Sequence, residues 1–502
     1  MKNKLATRTI TALILSGMLL STVLTSCAEK ADDDAASTTA ADASVTEPLE
    51  TDRSNYKDTL PDDLDFGGMD FTILARGDES FLKEFLVEED SGEVVDSAVF
   101  TRNSKVAERL NINYNVFKGY GSHEYGNELA RIRQNIVAGD DAWQAIAGYS
   151  VQLVKIMTEN LFLNLNEVEY LDFTMPWWPK SVINEMNFNG NLFFATGDIA
   201  FSTTSKAVCM YFNKTLQENY NIEDLYDIVN SGEWTMDKLN EICSGLYTDD
   251  GDSRRNEKDS YGLTMTSYNS VDGFMGAFHQ NVTTLNEDGY PELTMNNERM
   301  VNIVEAIYSL MNDNPGVYVP RIRIDDLQTM TEVFTNDRSL FMMWEFTAAE
   351  TGLREMESKF GIIPYPKLND LQESYGCYMQ DGHTLITIPN TIYGDMLSMT
   401  GAVLEALAAE SYRTVTPAYF EVALQGKYTR DNESVQMLEL IRDSIKYNFG
   451  YVYMVNAFYT LRNLANQGTN GSKDFASYWR KQERAFTKEL EKMIDKYEEN
   501  IG

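Results

Sequence analysis

The stretch LFMMWEFTAAETGLREMESKFGIIPYPK, residues 340–367, decides how the rest of the chain is read. Its first five residues, 340–344, form a short apolar run that fits a buried strand. Residues 346–360 carry helical spacing at Leu353, Met356 and Phe360, and 360–364 return as a second strand that stops at Pro364. The stretch therefore reads as strand, helix and strand passing between two lobes. Trp344 and Glu345 fall at the carboxyl end of the first strand, where α/β sheets present ligands, so this ring and carboxylate are the first candidate contacts.

Length supports two lobes, because 502 residues exceed what one hydrophobic core usually holds together. Apolar residues make up 43% of the chain, ample for folded domains, and the net charge is −35. That charge argues against nucleic acid and against electrostatic binding to anionic lipid. Of four cysteines, Cys209, Cys243 and Cys377 sit in apolar surroundings and read as buried free thiols, with one disulfide among them as the alternative.

Residues 1–26 begin with Lys2, Lys4 and Arg8, continue with an apolar run over 10–24 and end on small residues before Cys27. This is an export signal, too short to span a membrane. From residue 28 to 55 no aromatic residue occurs, and Ala, Ser, Thr, Asp and Glu dominate, a mixture which cannot offset the ordering entropy of a core. It reads as a tether with an end-to-end distance of roughly 35 Å.

Further on, 69–75 (MDFTILA) reads as a strand ending at Arg76, Gly77 and Asp78; a helix with Val99, Val106 and Leu110 on one face leads to a strand over 112–117; and a helix over 128–138 leads to a strand over 142–148. Strand and helix in alternation predict a parallel sheet with crossover helices. Tyr149 then stands at a strand's carboxyl end. Trp177 and Trp178, between Pro176 and Pro179, form either a hydrophobic plug or a stacking surface. Strands are also expected over 191–195, 207–212, 261–266 and 382–389, and helices over 399–411 and 474–500.

Several motifs resemble those of the sugar-binding extracellular solute-binding proteins of ABC importers, distant relatives of the maltose-binding proteins. They are Phe334, Asn336 and Phe341 leading to Trp344; Phe360 to Pro366 as "FGI-x-P-x-P"; Ala98, Val99, Arg102, Asn103 and Val106; Tyr211, Phe212, Asn213 and Lys214; YDIVNSGEWTMDKL over 226–239; and Arg430, Asp431 and Glu433 at a helix start. Leu24, Thr25, Ser26 and Cys27 resemble the bacterial lipobox, which implies that Cys27 is diacylated; two acyl chains anchor stably where one does not.

The resemblance implies an α/β, two-lobed periplasmic-binding-protein-like fold of type II with crossing hinge strands near 200–209 and 361–364. Residues 1–26 are the signal peptide and 27–65 the tether. Residues 66–205 with 362–425 form the first lobe, and 206–361 with 426–502 the second. It also implies a monomeric lipid-anchored protein on the outer face of a Gram-positive bacterial membrane, delivering an oligosaccharide to ABC permease subunits. The implied ligand set is Trp344, Glu345, Arg76, Tyr149, Trp178, Asp198, Ser202, Tyr268 and Asp272. Trp234 is assigned to packing, behind a turn at Gly232 and a Thr235 helix cap.

One further loop, TDDGDSRRNEKD over 248–259, resembles a degenerate calcium loop through Asp250, Asp252, Asn256 and Asp259; calcium is the only cofactor considered. No catalytic residue is assigned. The three histidines, His123, His279 and His383, are isolated, and Asn127 stands where a metalloprotease helix needs its second histidine. The alternatives kept open are a secreted carbohydrate-active enzyme, a surface glycan-capture or sensor lipoprotein without a permease, and a peptide or other polar solute in place of sugar.

Overall fold

A computed structural model describes residues 53–320, 326–420, 432–468 and 470–501. The export signal, Cys27, the tether as far as residue 52, and Arg430 and Asp431 lie outside the described residues; residues 53–65, expected as the end of the tether, are packed instead, with Leu60 buried and Asp58 paired with Arg109 at 2.8 Å.

The first sheet is built from strand β1 (Met69–Ala75), β2 (Ile112–Lys118) and β3 (Ala145–Tyr149). β1 pairs parallel to both others, with Ile73 opposite Val116 on one side and Ala145 on the other. Helix Val94–Leu110 connects β1 to β2 and buries Val99, Val106 and Leu110, then stops at Asn111, whose left-handed φ of 48° ends the helix without glycine. Helix Tyr125–Val137 buries Leu129, Ile132 and Ile136 in the same way before β3. Parallel strands need such crossovers, and the apolar faces of the helices cover the sheet.

The second sheet collects β4 (Val208–Asn213), β5 (Tyr261–Thr264), β6 (Val317–Tyr318), β7 (Ser339–Glu345) and β8 (Phe360–Ile363), in the order β8-β4-β7-β5-β6. β5 runs parallel to β6 and β7, whereas β4 is antiparallel to β7 and β8. The chain returns through β9 (Cys377–Tyr378) to β10 (Thr384–Thr387), which joins the first sheet antiparallel to β3, giving the order β10-β3-β1-β2. β9 itself pairs parallel with β11 (Ile445–Lys446). Both sheets are thus mixed rather than wholly parallel.

Three expectations are corrected. Helix over 346–360 shrinks to Thr347–Glu350: the Leu353 N–H closes onto Ala348 O, Gly352 packs against Thr331, and the apolar residues 353 and 360 are buried by a loop and by the start of β8 instead. The strand over 191–195 is reduced to isolated bridges, Phe188–Asn191 across the Asn189–Gly190 turn and Ala195–Ile386, while Leu192 between them donates its N–H to Asn164 Oδ1 and accepts from the Leu165 N–H. The second crossing is not at 361–364. Phe360 to Ile363 are all buried and need a sheet neighbour, which they find on β4, so the return to the first sheet comes at 377–383.

The local reading of 226–239 agrees with the structure. Gly232 has φ 79°, the Thr235 side chain accepts from the Lys238 N–H, and buried Trp234 donates from Nε1 to Pro364 O at 2.9 Å. Helices Asp395–Glu410 and Phe475–Asn500 also form, the latter capped by Asp474.

Candidate functional site

The carboxyl ends of β1 and β3 in one sheet and of β5 and β7 in the other carry the polar residues that meet. Arg76 follows β1 and is 2% exposed. Its guanidinium carbon lies 3.1 Å from the Phe81 ring centroid and 4.7 Å from that of Tyr149, while Nη2 donates to Gly382 O at 2.8 Å and Nε approaches Asp78 at 3.5 Å. Among the described residues, Nε and Nη1 have no hydrogen-bond acceptor. Burial takes this guanidinium down to about 10, against the pull of Glu84 and Asp78.

Lys206, just before β4, places Nζ 5.6 Å from the Phe81 centroid and 2.8 Å from Glu345 Oε2 at the end of β7. Thr347 donates to the same oxygen at 3.1 Å. Asp381, between β9 and β10, accepts from Tyr459 Oη and from Gln380 Nε2, and Ser150 donates to its carbonyl. Burial, then the charge of Glu345, raises its carboxyl pKa. Arg462 stacks over Tyr459 at 3.7 Å and pairs with Asp272 and, at 3.2 Å, with Asn269. The Arg462 Nε and Asp272 Oδ1 are buried without partners among the described residues, and burial also takes Arg462 down to about 10, against Tyr268 and Tyr149.

A continuous wall results, running from Glu345 and Lys206 through Phe81, Arg76 and Tyr149 to Asp381, Tyr459, Arg462 and Asp272. It combines ring faces with charged donors and acceptors, several of them unsatisfied, which is the chemistry a polyhydroxylated ligand matches. Arg76, Tyr149, Glu345, Tyr268 and Asp272, all singled out from the sequence, meet here. Trp344 is half-buried at the same end of β7.

Three other candidates lie elsewhere. Trp178 is buried with its indole N–H on Glu405 at 2.9 Å, beside Trp177 on the other carboxylate oxygen, so it has no free face and belongs to the plug. Ser202 is internal: its amide donates to Glu84 and its hydroxyl accepts from the Thr384 N–H. Asp198 accepts from Thr416 Oγ1 and lines a separate cavity of about 420 Å³ with Lys180, Thr204 and Arg442. Burial raises its carboxyl to about 6.

The calcium reading does not fit either. Asp259, expected to close the loop around an ion, instead accepts the amides of Asp250 and Asn256 and the hydroxyls of Tyr247 and Tyr261. Asp250 and Asp252 each accept an amide two residues on, and Asn256 Nδ2 donates to Asp252. Asp249, Asp250 and Asp252 bring carboxylate oxygens within 4.8 Å of one another, but the twelve-residue ligand order is broken. Among the histidines, His383 is buried between Gln380 O and Tyr447 Oη, and burial lowers it to about 4.

Sequence reasoning missed Phe81, Lys206, Asp381, Tyr459 and Arg462. In a chain with 77 acids and 42 bases, single charges carry no signal until the fold assembles them.

No protein-family profile matches the sequence, and no curated protein matches it. Solved structures do. The GacH receptor of Streptomyces glaucescens GLA.O, solved unliganded and with acarbose, aligns with TM-score 0.52 at 12% identity, over 84% of this chain and 99% of that one. A cyclo/maltodextrin-binding protein solved with maltotetraose gives 0.54 at 11% identity, over 85% and 97%. A chain described by the directed evolution of a de novo designed esterase gives 0.55 at 14% identity, over 84% and 99%. Identities this low establish likeness of fold and nothing finer. The chain has the two-lobed α/β fold of the maltodextrin-binding type of ABC solute-binding protein.

Proposed function

We propose that the chain is a receptor that binds a small polyhydroxylated solute, an oligosaccharide, where the carboxyl ends of the two sheets meet, and that it hands this solute to an ABC permease. The observation that carries the reading is the meeting of Arg76 and Tyr149 from one sheet with Glu345, Asp272 and Arg462 from the other side, unsatisfied polar atoms included. Rings cover the apolar faces of a pyranose, and guanidinium and carboxylate groups take its hydroxyls. Contacts made to both sheets favour a closed arrangement over an open one, which is how a permease can tell the loaded receptor from the empty one.

Cys27 is the proposed acylation site, with 27–52 as tether and the lobes divided near 205 and between β8 and β10; acylation would hold the receptor at the outer face of the membrane. The test is a thermal-shift screen of neutral and acidic oligosaccharides, polyols and peptides, followed by calorimetry on each hit. A saccharide that raises Tm, with affinity lost in Arg462→Gln and reduced in Trp344→Ala, supports the reading. A peptide as sole hit, or turnover of a bound oligosaccharide, overturns it.

A further inference from the structure

Each of the two segments that run between the sheets carries one cysteine, and each cysteine stands two residues from the bridge that joins the segments. Ala207 and Met379 form an antiparallel bridge, and the Gln380 N–H donates to Lys206 O at 2.8 Å. Two residues further along each strand, in opposite directions, stand Cys209 and Cys377. The bridge is isolated, since 377–378 pair with β11 and not with β4, so the two cysteines flank it without forming a ladder pair. The Cys377 N–H accordingly points away, donating to Ser444 O at 2.9 Å.

A disulfide spans Cα atoms roughly 4.4–6.8 Å apart, a separation reached where two chains run side by side next to a bridge. The Cys377 Sγ is 3.3 Å from the carbonyl of Val208, the neighbour of Cys209. Cys243 is not part of this pair; it packs on helix Met236–Ser244 against Gly262 and Gly316. All three thiols are free and buried in this structure.

We propose that Cys209 and Cys377 form a dithiol–disulfide pair, which a small-molecule disulfide converts into a covalent staple between the two crossing segments. One protein thiolate attacks the external disulfide, forming a mixed disulfide and expelling one small thiolate. The second protein thiolate then displaces the remaining small thiol. The protein gains one S–S bond and loses two thiol hydrogens, and the oxidant leaves as two thiols, so atoms and electrons balance.

Burial in apolar surroundings keeps both groups protonated and dry while the segments are paired. Attack therefore waits for the segments to part, and the rate of oxidation reports that opening. The staple would lie close to the ligand wall, since Cys209 is opposite Trp344 in the sheet and Lys206 and Asp381 flank the pair in sequence. Once formed, it fixes the spacing of both connections between the sheets.

The test uses the full chain carrying Cys27→Ser and Cys243→Ser, so that the pair alone remains, treated with oxidised glutathione. Expected are loss of both free thiols, a Cys209–Cys377 peptide on non-reducing mass mapping, a rise in Tm reversed by dithiothreitol, and faster oxidation as urea is raised below the unfolding transition. Cys377→Ser in the same background abolishes all four. Thiols that stay free until global unfolding, or mixed glutathione adducts that never resolve to the cross-link, overturn the proposal. Should serine at 209 or 377 impair folding, alanine at the same position supplies the control.

Discussion

Lys206 holds Glu345 through a 2.8 Å contact between Nζ and Oε2, joining the segment that enters β4 to the carboxyl end of β7. Glu345 is 3% exposed, so this is a carboxylate withdrawn from water with one strong cationic partner.

Removing that partner leaves the carboxylate uncompensated. Lys206→Met is expected to cost about 2–3 kcal/mol in urea unfolding, whereas Lys206→Met with Glu345→Gln recovers more than half of the loss. A double mutant no more stable than Lys206→Met would show that Glu345 does not depend on Lys206. Saccharide affinity is expected to fall in both variants.

Arg76 is held by Phe81, Tyr149 and Gly382 O, contacts that depend on a flat guanidinium. Lysine keeps the charge and loses both the stacking and the donor fork. Arg76→Lys should therefore weaken ligand binding at least tenfold, about 1.4 kcal/mol, with Tm little changed. Calorimetry with the best saccharide from the screen measures it, and unaltered affinity would remove Arg76 from the site.

Glu405 takes the indole N–H groups of both Trp177 and Trp178, and burial raises its carboxyl from 4.5 to about 7. A raised folded-state value means that the folded protein binds this proton more tightly than the unfolded chain. The stability it contributes is complete below pH 4.5, falls as pH rises toward 7 and is flat above that. Comparing the pH slope of urea unfolding, followed by tryptophan fluorescence, in wild type and Glu405→Gln isolates this part. The variant should be less stable at pH 5 and show a shallower decline; an identical slope would contradict the assignment.

Asp259 serves the 248–259 loop as an internal acceptor rather than as an ion ligand. Asp259→Ala should lower stability by about 2 kcal/mol, by the same amount in calcium and in EDTA. A loss that appears only in calcium would restore the ion-binding loop.

What the sequence settles is local. Alternating strands and helices over 69–149, the Gly232 turn with its Thr235 cap, and the final amphipathic helix are dictated by spacing and capping within a few residues, so they are legible without the fold. The carboxyl-end rule likewise picked out Arg76, Tyr149 and Glu345, because each follows or ends a recognisable strand.

Only the tertiary structure could decide which charges meet. Asp381, Tyr459 and Arg462 come from segments with no motif of their own, and they become neighbours of Tyr149 only when the chain has crossed between the sheets. The same crossing separates what sequence proximity had joined: Trp178, Asp198 and Ser202 lie on connected segments, yet one is sealed in a core, one lines another cavity and one satisfies Glu84. Burial and partner identity are long-range properties, set by packing between residues more than three hundred positions apart, and no window along the chain contains them.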